Sequence, residues 1–354
     1  MRFSLFMQPV HVPGENPTVA FERDLELIEW WDTLGFDEVF IGEHHSSGWE
    51  TIASPAVFIA AAAGRTMRIR LGSGVVPLGL HHPLYVADEY ILLDHLTRGR
   101  TILGVGAGGG IPSDPYVVGV EPAELQPRFA AAFEAMTRLL ESTEPYSVTT
   151  EWFELRDAVL QVRPYTSTGL PLAVVTGKNP DTLAQIGRHG AIWLTALPPQ
   201  QVSEAWAHVE AGASAAGVTA DRSRIRLNSI IHLADSREQA FADVREAAGR
   251  EQFDFGVPIL GRPEPEGVGR DEWIDVMAQA PNVVIGTPDD AIEKIRAIQS
   301  DSGGVGGLMV MSKEWASRAA TLHSYELMAR YVFPEFQEAL PGIRAADQVA
   351  RSLG

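Results

Sequence analysis

The chain has 354 residues, 45% apolar side chains and a formal net charge of −18. That length suits one large domain or two small ones with a sizeable core, and the acidity argues against a nucleic acid partner, which needs clustered Lys and Arg. There is no cysteine, which excludes disulfides, thiolate metal sites and cysteine nucleophiles.

No apolar run approaches the roughly 18 residues of a membrane span. The start Met1-Arg2-Phe3-Ser4-Leu5-Phe6 reads as a strand rather than a signal peptide, so a cytoplasmic enzyme is expected. Residues 2–7 are a first strand, and 17–34 an amphipathic helix with Leu25, Ile28 and Trp31 on one stripe. A second strand covers 37–41. Ser54-Pro55 opens a helix reaching about Ala63, with proline at its favoured first position. The third strand is predicted at 68–74, a helix at 84–96, the fourth strand at 100–106 and a helix at 122–141. Residues 146–163 read as a small β excursion, with strands at 147–150 and 158–162. Leu170–Val175, Ala191–Thr195 and Ile225–His232 are strands five to seven, followed by helices at 180–189, 200–216 and 236–249. Thr287-Pro288-Asp289-Asp290 starts a further helix, and Val305–Met311 is the eighth strand.

Alternation of this kind indicates a parallel α/β architecture, and about eight βα pairs predict a single-domain (β/α)8 TIM barrel with insertions. The surplus over a typical barrel falls at 107–121, at the β excursion and at 250–285. The last stretch is rich in Gly and Pro and is expected to be a mobile lid or a disordered insertion.

The segment Phe36-Asp37-Glu38-Val39-Phe40-Ile41-Gly42-Glu43-His44-His45 carries the most chemistry. A strand ends and three ionisable side chains follow, at the barrel rim that holds active sites. Such a group can bind a metal, move a proton or steady a charged intermediate. Adjacent residues on an extended segment point apart, so His44 and His45 do not converge on one ion and no metal is expected. Glu43 paired with a barrel arginine and a histidine packed under the loop is the purely structural alternative.

Gly104-Val105-Gly106-Ala107-Gly108-Gly109 satisfies G-x-G-x-x-G. Pro112 and Pro115 follow closely, however, so no helix starts where a dinucleotide site needs one, and that site is rejected. Thr176-Gly177-Lys178-Asn179-Pro180 follows the fifth strand and starts a helix whose free N–H groups attract an anion. A simple capped helix with a solvated lysine is the alternative.

Glu43-His44-His45, Gly72-Ser73-Gly74-Val75-Val76, His82-Pro83, Asp94-His95-Leu96-Thr97-Arg98-Gly99-Arg100, Trp152-Phe153 and Gln161-Val162-Arg163-Pro164-Tyr165 together resemble the bacterial luciferase-like flavin-dependent monooxygenase family. The resemblance is closest to its limonene 1,2-monooxygenase-like branch. It covers most of residues 1–195. It implies reduced FMN (FMNH2) from a separate NAD(P)H:flavin reductase, O2 as co-substrate, a C4a-(hydro)peroxyflavin, and oxygenation of a hydrophobic organic substrate by epoxidation, hydroxylation or Baeyer-Villiger-type insertion. A homodimer is also implied.

By the same resemblance His44 is the catalytic histidine. Glu43, Ser73, Gly74, Val75, Gly106, Ala107, Thr176, Lys178 and Asn179 would hold the cofactor, with a cis peptide at Gly74–Val75. Phe6, Met7, Trp49 and His81 are expected to line the substrate pocket. The chain departs from the family pattern in its larger Val75, in having no arginine near Ala107, and in Lys178-Asn179 where serine is common. An F420-dependent hydride-transfer oxidoreductase of the same fold and a non-catalytic flavin-binding relative are the alternative functions.

Overall fold

The structure is a computed structural model describing residues 1–8 and 10–353. Its strands are β1 (Arg2–Met7), β2 (Glu38–Ile41), β3 (Arg70–Ser73), β4 (Val76–Pro77), β5 (Thr101–Gly106), β6 (Tyr146–Thr149), β7 (Glu154–Ala158), β8 (Leu172–Val175), β9 (Ile192–Thr195), β10 (Ile225–Leu233), β11 (Val283–Gly286) and β12 (Gly307–Ser312). Parallel pairing runs β1-β2-β3-β5-β8-β9-β10-β12, and β12 pairs back onto β1. Eight strands therefore close a ring, as predicted.

The strands read as nearly continuous apolar runs because both faces are covered. Side-chain alternation splits them. Phe40, Ile102, Ala173, Ile192, Leu194 and Met309 fill the barrel interior, while Phe3, Leu5, Met7, Val39 and Ile41 pack outward against the helices. Met7 thus faces away from the barrel mouth, contrary to its expected place in a pocket.

Helices start where the sequence supplies caps. The Asn16 side chain accepts from Thr18 N at the head of Pro17–Leu34, and Ser54 accepts from Val57 N at the head of Pro55–Ala63. Gly35, with φ 88°, ends the first of these in the left-handed conformation that glycine adopts without strain.

Disorder at 250–285 and the bounds of one hairpin strand need correction. The 250–285 segment carries structure: a π turn at Gln252–Gly256, a helix at Trp273–Met277, and β11 paired with the end of β10. Ile274, Val283 and Ile285 join Val244 and Trp315 in a second core. The second strand of the excursion is Glu154–Ala158, not 158–162, in an antiparallel hairpin with β6.

The far end of the barrel from the rim is closed by charge. Glu38 is fully buried and accepts from Arg226 Nε at 2.8 Å, Arg2 Nη1 at 3.1 Å and Ser4 Oγ at 2.9 Å.

Candidate active site

The exits of β2, β3, β5, β8 and β9 surround a cavity of ≈460 Å³. Glu43, His44, Gly74, Val75, Ala107 and Thr176, all singled out from the sequence, line it. So do Asp114, Gly177 and Leu197. The peptide between Gly74 and Val75 is cis.

Glycine is required at two places here. A Cβ on Gly106 would lie 2.6 Å from Val175 Cγ1, and one on Gly74 would lie 2.8 Å from the Phe6 ring. Phe6 therefore forms the floor beneath Gly74 rather than a pocket wall. Gly108 and Gly109, with φ 93° and 82°, turn the chain away after β5. The next helix begins only at Ser113, consistent with rejecting a dinucleotide site.

His44 sits between two acids. Its Nδ1 is 2.8 Å from Asp114 Oδ2 in a hydrogen bond. Its Nε2 is 2.8 Å from Glu50 Oε2, an ion-pair contact without hydrogen-bond alignment. Burial alone would lower its pKa, but Asp114 and Glu50 outweigh it and raise the group to about 9. An imidazole with a carboxylate at each nitrogen is held as imidazolium. The short helix carrying Asp114 is clipped to the β2 exit: His45 N donates to Asp114 Oδ1 at 2.7 Å, and Ser113 Oγ donates to His45 O at 2.8 Å.

His45 and His44 do diverge. His45 Nε2 lies 3.1 Å from Glu43 Oε1, and His81 Nε2 meets the same oxygen. Burial favours the neutral acid, yet these two contacts hold the Glu43 carboxyl below its usual range. Glu43, His45 and His81 converge closely enough to ligate an ion, and the Nε2 of each ring meets the same Glu43 oxygen. His81 thus reaches the site through Glu43 and is not part of the cavity lining.

Other expected positions lie outside the lining. Ser73 Oγ donates to Gly104 O at 2.8 Å and accepts from Gly104 N at 2.9 Å, so its hydroxyl is committed to joining β3 and β5. Asn179 Oδ1 accepts from Thr182 N and caps the helix Pro180–His189. Lys178 is half-exposed, with Nζ 3.9 Å from Glu204. Trp49 packs on Phe255, ring centroids 5.6 Å apart.

The sequence reading missed Glu50 and Asp114. Glu50 had one signal, an acid six residues beyond His44 in the same rim loop. Asp114 lies seventy positions away and carried none.

Comparison with known proteins decides the family. The sequence profile of the luciferase-like monooxygenase family matches residues 1–304. The chain belongs to the luciferase-like monooxygenase family. It is therefore an enzyme of the monooxygenase class. The 4-hydroxyprotoasukamycin monooxygenase of Streptomyces nodosus subsp. asukaensis is 42% identical over 97% of this chain and 94% of its own. Limonene 1,2-monooxygenase of Rhodococcus erythropolis is 40% identical over 99% and 90%. The oxygenating constituent of 3,6-diketocamphane monooxygenase from Pseudomonas putida, a type II Baeyer-Villiger monooxygenase solved with FMN, shares the fold. Its TM-score is 0.79 at 24% identity, covering 94% of this chain and 98% of that one.

The residues of this luciferase-like cavity fit a planar flavin. Val75, Pro77, Ala107, Val175 and Leu197 give apolar walls, and Gly108, Gly109 and Gly110 add only backbone to the lining.

Proposed function

We propose that this chain is an FMNH2-dependent monooxygenase that places one oxygen atom of O2 into a small hydrophobic organic substrate and releases the other as water. Bound FMNH2 supplies the two electrons. Val75, Pro77, Ala107, Val175 and Leu197 hold the ring, and Thr176, Gly177 and Lys178 serve its phosphate.

The observation that carries the reading is His44. It is a cation at the wall of an apolar cavity, held by Asp114 and Glu50. Such a group stabilises developing negative charge on oxygen and can deliver a proton to it. Glu43, fixed by His45 and His81, orients the β2 exit loop.

A separate NAD(P)H:flavin reductase delivers FMNH2 in this scheme. The working unit is a homodimer, supported by Val57, Met67, Tyr85, Leu92 and Leu96. All are more than half exposed on or beside the helices after β2 and β4.

The test mixes the protein with FMN, NADH and a flavin reductase under 18O2, and offers cyclic alkenes and ketones. Incorporation of a single labelled oxygen supports the reading. Preferential binding of F420, followed by fluorescence, with no oxygen uptake overturns it in favour of hydride transfer. Tight binding of oxidised FMN without turnover favours a non-catalytic role.

A further inference from the structure

Behind His44 a row of buried polar groups crosses to the far side of the rim. Glu50, fully buried, accepts from Gln8 Nε2 at 2.6 Å. Lys313, just past the end of β12, donates to Gln8 Oε1 at 2.8 Å and to Glu251 Oε1 at 2.5 Å. Trp315 Nε1 donates to Glu251 Oε2 at 2.7 Å. Glu251 is the last residue of the helix Arg237–Glu251, where the chain enters the 252–256 π turn. Lys313 is 8% exposed and Glu251 13%. Two such charges in so dry a place are costly, and surface solubility does not account for them. Nothing in the oxygenation chemistry described above uses them.

The donors and acceptors in this row can be ordered without ambiguity. An ammonium has three donors and no acceptor, so the atom of Gln8 facing Lys313 is its carbonyl oxygen. The amide N–H2 must then face Glu50, a carboxylate that only accepts. Without the lysine, the amide oxygen of Gln8 loses its donor, and the side chain is no longer tethered from that end. Once Gln8 moves to satisfy that oxygen elsewhere, Glu50 loses the donor that holds it, and the carboxylate shifts from His44.

We propose that Lys313 is a positioning residue for His44: anchored by Glu251, it fixes the Gln8 amide so that a donor meets Glu50 and a carboxylate stays against the imidazole. The inference rests on the functional reading of His44. Its test reads the imidazole directly, so the two can fail separately.

The groups facing His44 are Asp114 from the helix after β5, Glu50 from the β2 exit loop, and its neighbours Glu43 and His45, with His81 reaching them from the segment after β4. All remain in the variants used. The sign separates the relay from a plain field effect. Removing a cation at a distance favours protonation of His44 and would raise its titration midpoint. Loss of the Glu50 contact lowers it.

The experiment is a titration of the full-length protein labelled with 15N-histidine, followed by long-range 1H–15N NMR and assigned with His44→Gln. Lys313→Met and Gln8→Leu lower the His44 midpoint by about one to two pH units, the size expected for losing one close opposite charge. Lys313→Arg, also a cation with donors only, leaves it within about half a unit. An unchanged or raised midpoint in both Lys313→Met and Gln8→Leu overturns the proposal. If Lys313→Met does not fold, Gln8→Leu and Lys313→Arg decide alone. A lowered midpoint with an unaltered pH profile of oxygenation supports the relay and overturns the role given to His44.

Discussion

Replacing His44 by Gln gives a test of site electrostatics that needs no substrate. Its pKa is raised from 6.5 to about 9 because the pull of Asp114 and Glu50 exceeds the burial penalty. Each pKa unit corresponds to about 1.36 kcal/mol, so the native state gains on the order of 3 kcal/mol from the extra proton affinity. The folded protein holds this proton more tightly than the unfolded chain. The gain is therefore complete below about pH 6.5 and fades as pH rises through about 9. The variant lacks it at every pH. Packing lost with the ring shifts the variant equally throughout, so the diagnostic quantity is the change in the difference. Urea unfolding of both proteins between about pH 6 and about pH 9.5 should show the wild-type advantage shrink by on the order of 3 kcal/mol. A difference that changes by less than about 1 kcal/mol across that window would mean His44 is not held as a cation, and the argument from its two acids would fail.

The remaining expectations concern other parts of the molecule. Glu38→Gln leaves the buried Arg226 guanidinium without its carboxylate and should cost about 3–5 kcal/mol in denaturant unfolding; a cost under about 1 kcal/mol contradicts the network. Gly104→Ala puts a Cβ 1.9 Å from Ser73 O, and should lower stability by about 1–3 kcal/mol in the same assay. Lys178→Ala removes a half-exposed ammonium and should weaken FMN binding by no more than about five-fold by calorimetry, and less at high salt, because exposed ion contacts contribute about 0.2–1 kcal/mol. Leu92→Glu should convert a dimer to a monomer in light scattering; an unaltered mass places the interface elsewhere.

Most of the barrel was legible because its signals are local. Ser54-Pro55 and Asn179-Pro180 mark helix starts by cap chemistry alone, and both begin helices. β11 escaped because Val283–Gly286 is a four-residue run beyond a Gly- and Pro-rich stretch, with no periodicity to lift it above a loop. The second hairpin strand was displaced because Ala158 to Val162 looks more apolar than the true strand, in which only Leu155 is buried.

The site divides in the same way. His44 was visible as the residue following a strand. The acids that set its charge were not, because Asp114 and Glu50 act through tertiary contacts that sequence spacing does not encode. Ser73 and Met7 failed for a different reason. Being next to a strand exit does not tell which way a side chain points, and a one-residue step moves it to the opposite face.

The seam between β1 and β12 joins residues 2–7 to residues 307–312. Some 300 residues separate Met7 from Gly307, and at about 5–20 residues per second a ribosome needs roughly 15–60 s to make them. Through that interval the earliest strand has a free edge on the side its last neighbour will occupy, the condition under which nascent sheets stick to one another. The enzyme's yield in a cell should therefore depend on whatever shields that edge until the final strand leaves the tunnel.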